Sequence, residues 1–273
     1  MDRPSSWRCR DRILPLGART VVMGILNLTP DSFSDGGLYL DPEMALAHAK
    51  KMLAEGAEVI DVGAESTRPG AAPVAAAEQL ARLSPLLSRL DAVPGVVWSI
   101  DTSDPEVAEA ALSSGFHIVN DVWGLQRSTE LARVVARHGA GVVLMHNRQR
   151  DGVGDLEAEI LSFLKTSQEI AEDSGIAPEQ ILMDPGIGFG KNAEESVQAL
   201  RLIPTLVRRD WRVLVGVSRK RVLGHLTGRP VGERAHATAV ASALAVSLGA
   251  DAVRVHDVAE VVEAVRVADA MVR

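Results

Sequence analysis

The chain has 273 residues, of which 47% are hydrophobic and 24% are charged, and its formal net charge is -7. This length suits one large α/β barrel or two ordinary domains, and it provides a sizeable core. The acidic balance argues against a general nucleic-acid-binding protein, because such proteins contact phosphates mainly through lysine and arginine. Cys9 is the only cysteine, and no apolar run reaches the roughly 18 residues of a membrane span. We therefore expect a cytoplasmic protein without an intrachain disulfide, a signal peptide or a membrane anchor.

The first 20 residues show no strong periodicity, and the segment Ile13-Leu14-Pro15-Leu16-Gly17 predicts a short hairpin or plug. Residues 21–273 then form one predicted domain in which short apolar runs alternate with helical segments. The predicted strands cover residues 21–27, 59–65, 96–101, 117–122, 141–146, 181–184, 212–217 and 252–256. The predicted helices cover residues 42–55, 75–91, 105–114, 128–138, 155–174, 193–206 and 232–248, and the last follows Asp257. Asp-Pro pairs before two of these helices are typical of an N-cap followed by proline at the first helical position.

Strict alternation of strands and helices predicts parallel strands joined by right-handed crossovers. Eight such units in one chain favour an α/β fold consisting of a single (β/α)8 TIM barrel, and a doubly wound open sheet is the alternative. Each predicted strand ends at or next to a polar residue, and active sites of barrels lie at the carboxyl ends of the strands. We therefore expect eight side chains to converge: Asn27, Glu65, Asp101, Asn120, His146, Asp184, Ser218 and His256.

The acidic and amide residues of this set indicate a site for a flat heteroaromatic ring. Asp101, Asn120 and Asp184 offer hydrogen-bond acceptors and an amide, and a carboxylate can accept two parallel N–H donors from a 2-amino-4-oxopyrimidine edge. Lys220 is a candidate partner for Asp184, because a buried carboxylate needs pairing. An Asp184–Lys220 bridge that only closes the barrel is the alternative interpretation.

A second set of residues is suited to an anion: Arg68, Arg219, Lys220, Arg221, Arg254 and His256. Arg254 and His256 alternate along the last strand and so share one face, and anion sites near the last two strands recur in barrels. Solvated surface charge is the alternative for Arg221. No histidine pair has metal-ligand spacing, and the glycines of PGIGFGK match neither the dinucleotide nor the P-loop spacing.

Eight motifs occur in a characteristic order: GILNLTPDSFSDGG, IDVGAESTRPG, SIDT, VNDVWG, LMH, DPGIGFGK, GVSRK and RVHDV. Together they span about residues 21–260, and in this order and spacing the chain resembles the dihydropteroate synthase family. The resemblance implies a pterin-binding TIM barrel that joins 6-hydroxymethyl-7,8-dihydropterin diphosphate to p-aminobenzoate and releases pyrophosphate. It also suggests a homodimer formed through the outer helices.

The resemblance assigns roles to individual residues. The pterin would contact Asp101, Asn120, Met145, Asp184 and Lys220. The diphosphate would contact Asn27, Arg254 and His256, with Mg²⁺ bound by Asn27. The p-aminobenzoate site would be bordered by Phe33, Thr67, Arg68, Pro69, Phe189, Ser218, Lys220 and Arg221. Asp35, Lys220, Arg254 and His256 would act in catalysis, Asp35 by stabilising a cationic methylene on the pterin.

Four residues depart from the common family pattern, namely Ala64, Asn147, Arg148 and Arg221, and a small hydroxyl residue is frequent at the position of Arg221. They concern the shape of the arylamine site rather than the pterin or diphosphate groups. Two rival functions remain: a corrinoid methyltransferase that uses methyltetrahydrofolate, and a non-catalytic pterin-binding paralogue. The methyltransferase would not need STRPG, SRK or RVH.

Overall fold

The computed structural model describes residues 3–29, 42–65, 74–148 and 154–273. A two-stranded antiparallel hairpin, β1 (Ser6–Cys9) and β2 (Arg12–Pro15), precedes the main sheet. The main sheet contains β3 (Val21–Asn27), β4 (Val59–Gly63), β5 (Val97–Asp101), β6 (Ile118–Asp121), β7 (Gly141–Met145), β8 (Ile181–Asp184), β9 (Leu214–Val215) and β10 (Ala252–Val255). Its helices are α1 (Pro42–Ala54), α2 (Ala76–Leu87), α3 (Pro105–Ser113), α4 (Thr129–His138), α5 (Leu156–Asp173), α6 (Ala193–Arg201), α7 (Ile203–Val207), α8 (Arg221–Thr227), α9 (Ala235–Ser247) and α10 (Val258–Val272).

The eight main strands are all parallel and follow the order β8-β7-β6-β5-β4-β3-β10-β9. A parallel bridge between Met183 and Val213 brings the two outer strands together and closes the ring. The predicted TIM barrel is therefore confirmed, and the doubly wound alternative is wrong. Among the described residues, no helix is long and apolar enough to span a bilayer. The cytoplasmic location stays a prediction.

Several elements differ from the prediction. The seventh strand is shorter than residues 212–217, because the Val213 N–H donates to the Asp251 carboxylate at 2.9 Å rather than to a neighbouring strand. The predicted helix 193–206 consists of two helices, α6 and α7, and Pro204 near the start of α7 lacks the N–H that a continuous helix requires. The additional helix α8 was not predicted, and α9 begins at Ala235 instead of residue 232.

The predicted N-terminal plug is present at the amino-terminal end of the barrel. Trp7 is completely buried, and its indole Nε1 donates to the Gln180 carbonyl at 2.9 Å. Trp7, Cys9 and Leu14 belong to an apolar cluster that also contains inward-facing side chains from all eight strands. At Gly141, the first residue of β7, a Cβ atom would lie 2.7 Å from the Cys9 sulfur, so only glycine leaves room for the hairpin. The hairpin therefore closes this end and leaves the carboxyl ends of the strands as the expected location of the site.

We expect Trp7→Ala to lower the free energy of unfolding by about 3–5 kcal/mol, because it removes a fully buried aromatic side chain and leaves a cavity. The matched control is Ile13→Ala on the same hairpin, where the side chain is 67% exposed and the loss should stay below about 0.5 kcal/mol. Urea unfolding measures both values. Equal small losses would show that the hairpin does not contribute to the core.

Candidate active site at the carboxyl ends of the strands

A layer of polar side chains lies inside the barrel above the apolar cluster. Its centre is Asp61 on β4, which is completely buried. One carboxylate oxygen of Asp61 accepts from Ser99 Oγ at 2.5 Å, and the other accepts from Asn120 Nδ2 at 2.9 Å and Arg254 Nε at 2.5 Å. The sequence analysis did not single out Asp61. The sequence did contain a signal for it, because Asp61 is a charged residue in an otherwise apolar predicted strand. A buried charge of this kind needs an oppositely charged or hydrogen-bonding partner in the protein interior.

Arg254 lies between two carboxylates. Besides Asp61, its guanidinium donates through Nη2 to Asp101 Oδ2 at 2.7 Å. Burial raises the pKa of Asp101 to about 7, against the opposing effect of Arg254. The second oxygen of Asp101, Oδ1, is buried and accepts no hydrogen bond from the described part of the chain. Because leaving such an acceptor unpaired is costly, this atom indicates where a ligand donor would bind.

Asp184 and Lys220 face the same space across Gly216. A Cβ atom on Gly216 would lie 3.8 Å from Asp184 Oδ2 and 3.7 Å from Lys220 Nζ. Burial raises the pKa of Asp184, and the nearby Lys220 opposes this shift. The two side chains form no direct ion pair, so the alternative of a bridge that only closes the barrel is not observed, although the charge of Lys220 still acts on Asp184. Lys220 Nζ donates to the Ile187 carbonyl at 2.6 Å, and Asp184 Oδ1 accepts from the Gly186 N–H at 2.7 Å. One oxygen of Asp184 therefore still faces the pocket.

Lys220 also borders a second part of the site. Its ammonium lies 4.6 Å from the centre of the Phe189 ring, and desolvation lowers the pKa of Lys220 to about 8. Arg234, which the sequence analysis missed, donates through Nη1 to the Arg219 carbonyl at 3.0 Å and the Lys220 carbonyl at 3.3 Å. This guanidinium holds the SRK backbone from outside the barrel.

Two of the predicted anion-binding residues, Arg221 and His256, lie beyond the ends of the strands. His256 is half-buried, and its Nδ1 lies 2.9 Å from Ser218 Oγ, which also accepts the His256 backbone N–H at 3.1 Å. Ser218 therefore orients this imidazole, and its place at the border of the arylamine site stays a prediction. Asn27 ends β3, and its Oδ1 would lie 3.4 Å from a Cβ atom on Gly63. Arg221 is exposed at the first position of α8, in agreement with solvated surface charge.

One of the eight strand-end residues, His146, does not converge with the others, whereas Glu65 lies close enough to Asp101 to interact with it electrostatically. Glu65 accepts from the Val74 N–H at 2.9 Å and Gln79 Nε2 at 3.2 Å, towards α2. Side chains alternate along a strand, so Met145 points into the barrel and the next residue, His146, points outward against the Phe163 ring, whose centre is 4.9 Å away. The predicted positions Phe33, Asp35, Thr67, Arg68 and Pro69 lie outside the described residues.

His146 instead takes part in holding the glycine-rich segment 185–191. The buried Lys191 ammonium contacts His146 Nδ1 at 2.7 Å, the Gly186 carbonyl at 2.8 Å and the Phe189 carbonyl at 3.2 Å. Gly186 has φ +69°, and a Cβ atom there would collide with the His146 carbonyl. Burial lowers the pKa of His146 to about 3, which keeps the imidazole neutral as an acceptor. The segment is therefore a packed support for Phe189 rather than a phosphate loop.

We expect Lys191→Met to change how stability depends on pH. Burial lowers the pKa of Lys191 from 10.5 to about 7. Between pH 7 and pH 10.5, the unfolded chain therefore holds a proton on Lys191 that the folded chain has lost. The free energy of unfolding consequently increases as the pH rises through this range. The free energy of unfolding of the unsubstituted protein, minus that of Lys191→Met, should increase from about pH 7 to pH 10. The exposed Lys165→Met serves as the control for urea unfolding. A difference that is independent of pH would contradict the assignment.

Comparison with known proteins agrees with this geometry. The sequence profile of a family described as pterin binding enzyme matches residues 23–256. Dihydropteroate synthase of Bacillus subtilis (strain 168) is 42% identical over 253 residues, which cover 93% of this chain and 89% of the relative. The dihydropteroate synthase of Synechocystis sp. is 43% identical over 265 residues, covering 94% and 92%.

Solved structures of the same kind superimpose closely. Xanthomonas albilineans dihydropteroate synthase with 4-aminobenzoic acid has a TM-score of 0.92 and 42% identity and covers 98% of each chain. The Clostridium difficile enzyme with pteroic acid has a TM-score of 0.91 and 42% identity and covers 94% of this chain and 98% of that chain. The chain therefore belongs to the pterin-binding enzyme family, and within it to the dihydropteroate synthases.

Proposed function

We propose that the chain condenses 6-hydroxymethyl-7,8-dihydropterin diphosphate with p-aminobenzoate to form 7,8-dihydropteroate and pyrophosphate. The observation that carries this proposal is the unpaired Asp101 Oδ1, which lies at the same end of the barrel as Asn120, Asp184 and Lys220. The names of the relatives favour the synthase over the methyltransferase alternative. Measured turnover would distinguish the synthase from a non-catalytic pterin-binding paralogue.

The polar interior is suited to the pterin ring. The 2-amino-4-oxopyrimidine edge presents N–H donors and a carbonyl, and the pocket offers the Asp101 and Asp184 carboxylates together with the Asn120 amide. Met145 lines the same interior from β7 and is nearly completely buried. The ring would thus have polar partners along its edge and an apolar contact.

The rim is suited to the diphosphate. Arg254 and His256 share one face of β10 and its extension. Arg254 keeps its positive charge although it is desolvated, because Asp61 and Asp101 raise the pKa of its guanidinium. In the described ranges no group of three or more His, Cys, Asp or Glu side chains could hold a metal ion alone. Asn27 Oδ1 at the end of β3 fits a Mg²⁺ ion that takes its other oxygens from phosphate and water. When bound, Mg²⁺ would neutralise charge on the diphosphate.

The reaction then needs little proton transfer. The bond between the pterin methylene carbon and the diphosphate oxygen breaks, and its electron pair leaves with pyrophosphate, which Arg254 and His256 stabilise. The carboxylates around the ring stabilise the cationic methylene, a role in which we include Asp35. The nitrogen of p-aminobenzoate attacks this carbon and loses a proton. Phe189 and Lys220 border the position of the arylamine and align it.

The decisive experiment is a coupled assay of pyrophosphate release with both substrates. We expect release that depends on p-aminobenzoate and that a sulfonamide inhibits competitively, since a solved relative from Yersinia pestis is a complex with a sulfonamide drug. Binding of the pterin diphosphate in calorimetry without any turnover would identify a non-catalytic paralogue.

Arg254→Ala should lower the turnover number at least about 100-fold, because it removes a cation that stabilises the leaving group. Arg229→Ala is the matched control: this arginine pairs with Glu233 on the surface, and its side chain is largely exposed. Its turnover should stay within about two-fold of the unsubstituted enzyme. Near-normal turnover of Arg254→Ala in the same assay would exclude the assigned role.

We also propose a homodimer formed through α9 and α10. Val240 and Leu244 on α9 and Leu248 at its C-cap recur every four residues, and they are 46%, 60% and 38% exposed. Residues at this spacing share one helix face. Val267 and Met271, again four apart on the adjacent helix α10, are exposed as well. An apolar surface of this kind is typical of an interface.

Leu244→Glu should therefore convert the dimer to a monomer, because it places a charge in the centre of the proposed interface. Ile13→Glu introduces the same charge at an exposed apolar position of the hairpin and should leave the dimer intact. Sedimentation velocity measures both. A monomeric unsubstituted protein would refute the interface.

A further inference from the structure

Asp61 is a completely buried carboxylate that contacts Asn120 of the proposed pterin site and Arg254 of the proposed diphosphate site. Since both its oxygens already accept hydrogen bonds from side chains, it is not itself placed to bind a ligand. We propose that Asp61 is a positioning residue that sets the direction in which Asn120 presents its amide to the pterin and Arg254 presents its guanidinium to the diphosphate. The inference rests on the proposed function and extends it to a residue below the bound ring.

The position of Asp61 excludes direct contact with solvent. Its side chain is completely buried. Asp61 lies two residues after Val59, whose side chain belongs to the apolar cluster inside the barrel, and residues two apart in a strand point to the same face. The Asp61 side chain therefore also points into the barrel. Both oxygens are engaged by side chains of three other strands, namely Ser99 on β5, Asn120 on β6 and Arg254 on β10. Asp61 thus acts from below the pocket through its neighbours.

The effect on Asn120 follows from hydrogen-bond chemistry. An amide has donors on Nδ2 and an acceptor on Oδ1, whereas a carboxylate only accepts. The contact of 2.9 Å with Asp61 therefore requires Nδ2 on the lower side of the amide. A reversed amide would place Oδ1 against the carboxylate oxygen. Asp61 thereby fixes which edge of Asn120 remains for the pterin.

The effect on Arg254 is one of direction. Its Nε is anchored to Asp61 at 2.5 Å, while Nη2 reaches Asp101 at 2.7 Å. Two contacts at different nitrogens fix the plane of the guanidinium, since its donors form a rigid fork. Without the Nε contact, the side chain could turn its charge wholly towards Asp101. Asp61 therefore keeps Asp101 Oδ1 accessible and Arg254 in place beside it.

The test substitutes Asp61→Asn, which keeps the shape but places a donor group among the donors of Asn120 and Arg254. Calorimetry with 6-hydroxymethylpterin, which lacks the diphosphate, should show binding weakened by about 10- to 100-fold. The KM for p-aminobenzoate should change less than about three-fold, because Phe189 and Lys220 do not contact Asp61. Equal loss of both affinities would indicate a general structural role and overturn the proposal.

Asp251→Asn is the matched control. Asp251 is also completely buried and pairs with two arginines, Arg212 at 2.6 Å and Arg3 at 2.5 Å, but it precedes β10 at the plugged end of the barrel. This variant should lose stability in urea without any loss of pterin affinity. Weakened pterin binding in Asp251→Asn as well would show that destabilisation alone explains the effect.

A double-substitution cycle tests the route of action. If Asp61 acts through Asn120, then Asp61→Asn should weaken pterin binding much less in an Asn120→Ala background than in the unsubstituted enzyme. Additive losses would overturn the proposed route. Should Asp61→Asn fail to fold, Ser99→Ala removes one of the bonds that hold Asp61, and it should weaken pterin binding by about three- to ten-fold. Pterin binding unaffected by Ser99→Ala would then contradict the proposal.

Failure of this inference is distinguishable from failure of the proposed function. An unsubstituted protein that binds no pterin and releases no pyrophosphate would refute the function. An active unsubstituted enzyme whose Asp61→Asn variant binds the pterin normally would refute only the role of Asp61.

Discussion

The site depends on one interaction, the sharing of the Arg254 guanidinium between Asp61 and Asp101 inside the barrel. Charged groups taken out of water destabilise a protein unless opposite charges and hydrogen bonds compensate them. Three carboxylates meet two cations here, since Asp184 and Lys220 complete the set. The compensation leaves selected atoms without a protein partner, above all Asp101 Oδ1. The same balance that lets the barrel fold thus prepares a polar surface for a ring with complementary donors.

Much of the barrel was predictable because its sequence signals are local. Each strand is a short apolar run, and Asp-Pro pairs and glycines mark the ends of helices. All eight strands, and every helical segment except α8, could therefore be located from the residues alone. The irregular region after β9 could not. Helix α8 spans only Arg221–Thr227, and its position depends on Arg234, whose guanidinium binds carbonyl groups of the preceding SRK segment. Such a tertiary contact leaves no periodic pattern.

The site was predictable to the extent that strand ends identify the open mouth of a barrel. Asp101, Asn120 and Asp184 follow this rule, whereas His146 fails it, because Met145 takes the inward position and the next residue must point outward. Asp61 was missed since its partner Arg254 lies 193 positions away in the chain. The motif around Asp61 supported the family resemblance without revealing what the carboxylate contacts. Side-chain pairing across the barrel had to come from the structure.

The hairpin covers the amino-terminal end of the barrel, opposite the carboxyl ends of the strands. The proposed ring acceptors lie on the strands themselves, whereas Phe189 and Lys220 belong to segments beyond the strand ends, so in the proposed arrangement the two reactants would occupy successive depths of the barrel mouth. An arylamine that arrived early would obstruct the path of the larger heterocycle to the floor of the cavity. Turnover should therefore follow a compulsory order, in which the deep position fills before the shallow one and the joined product leaves by the same route.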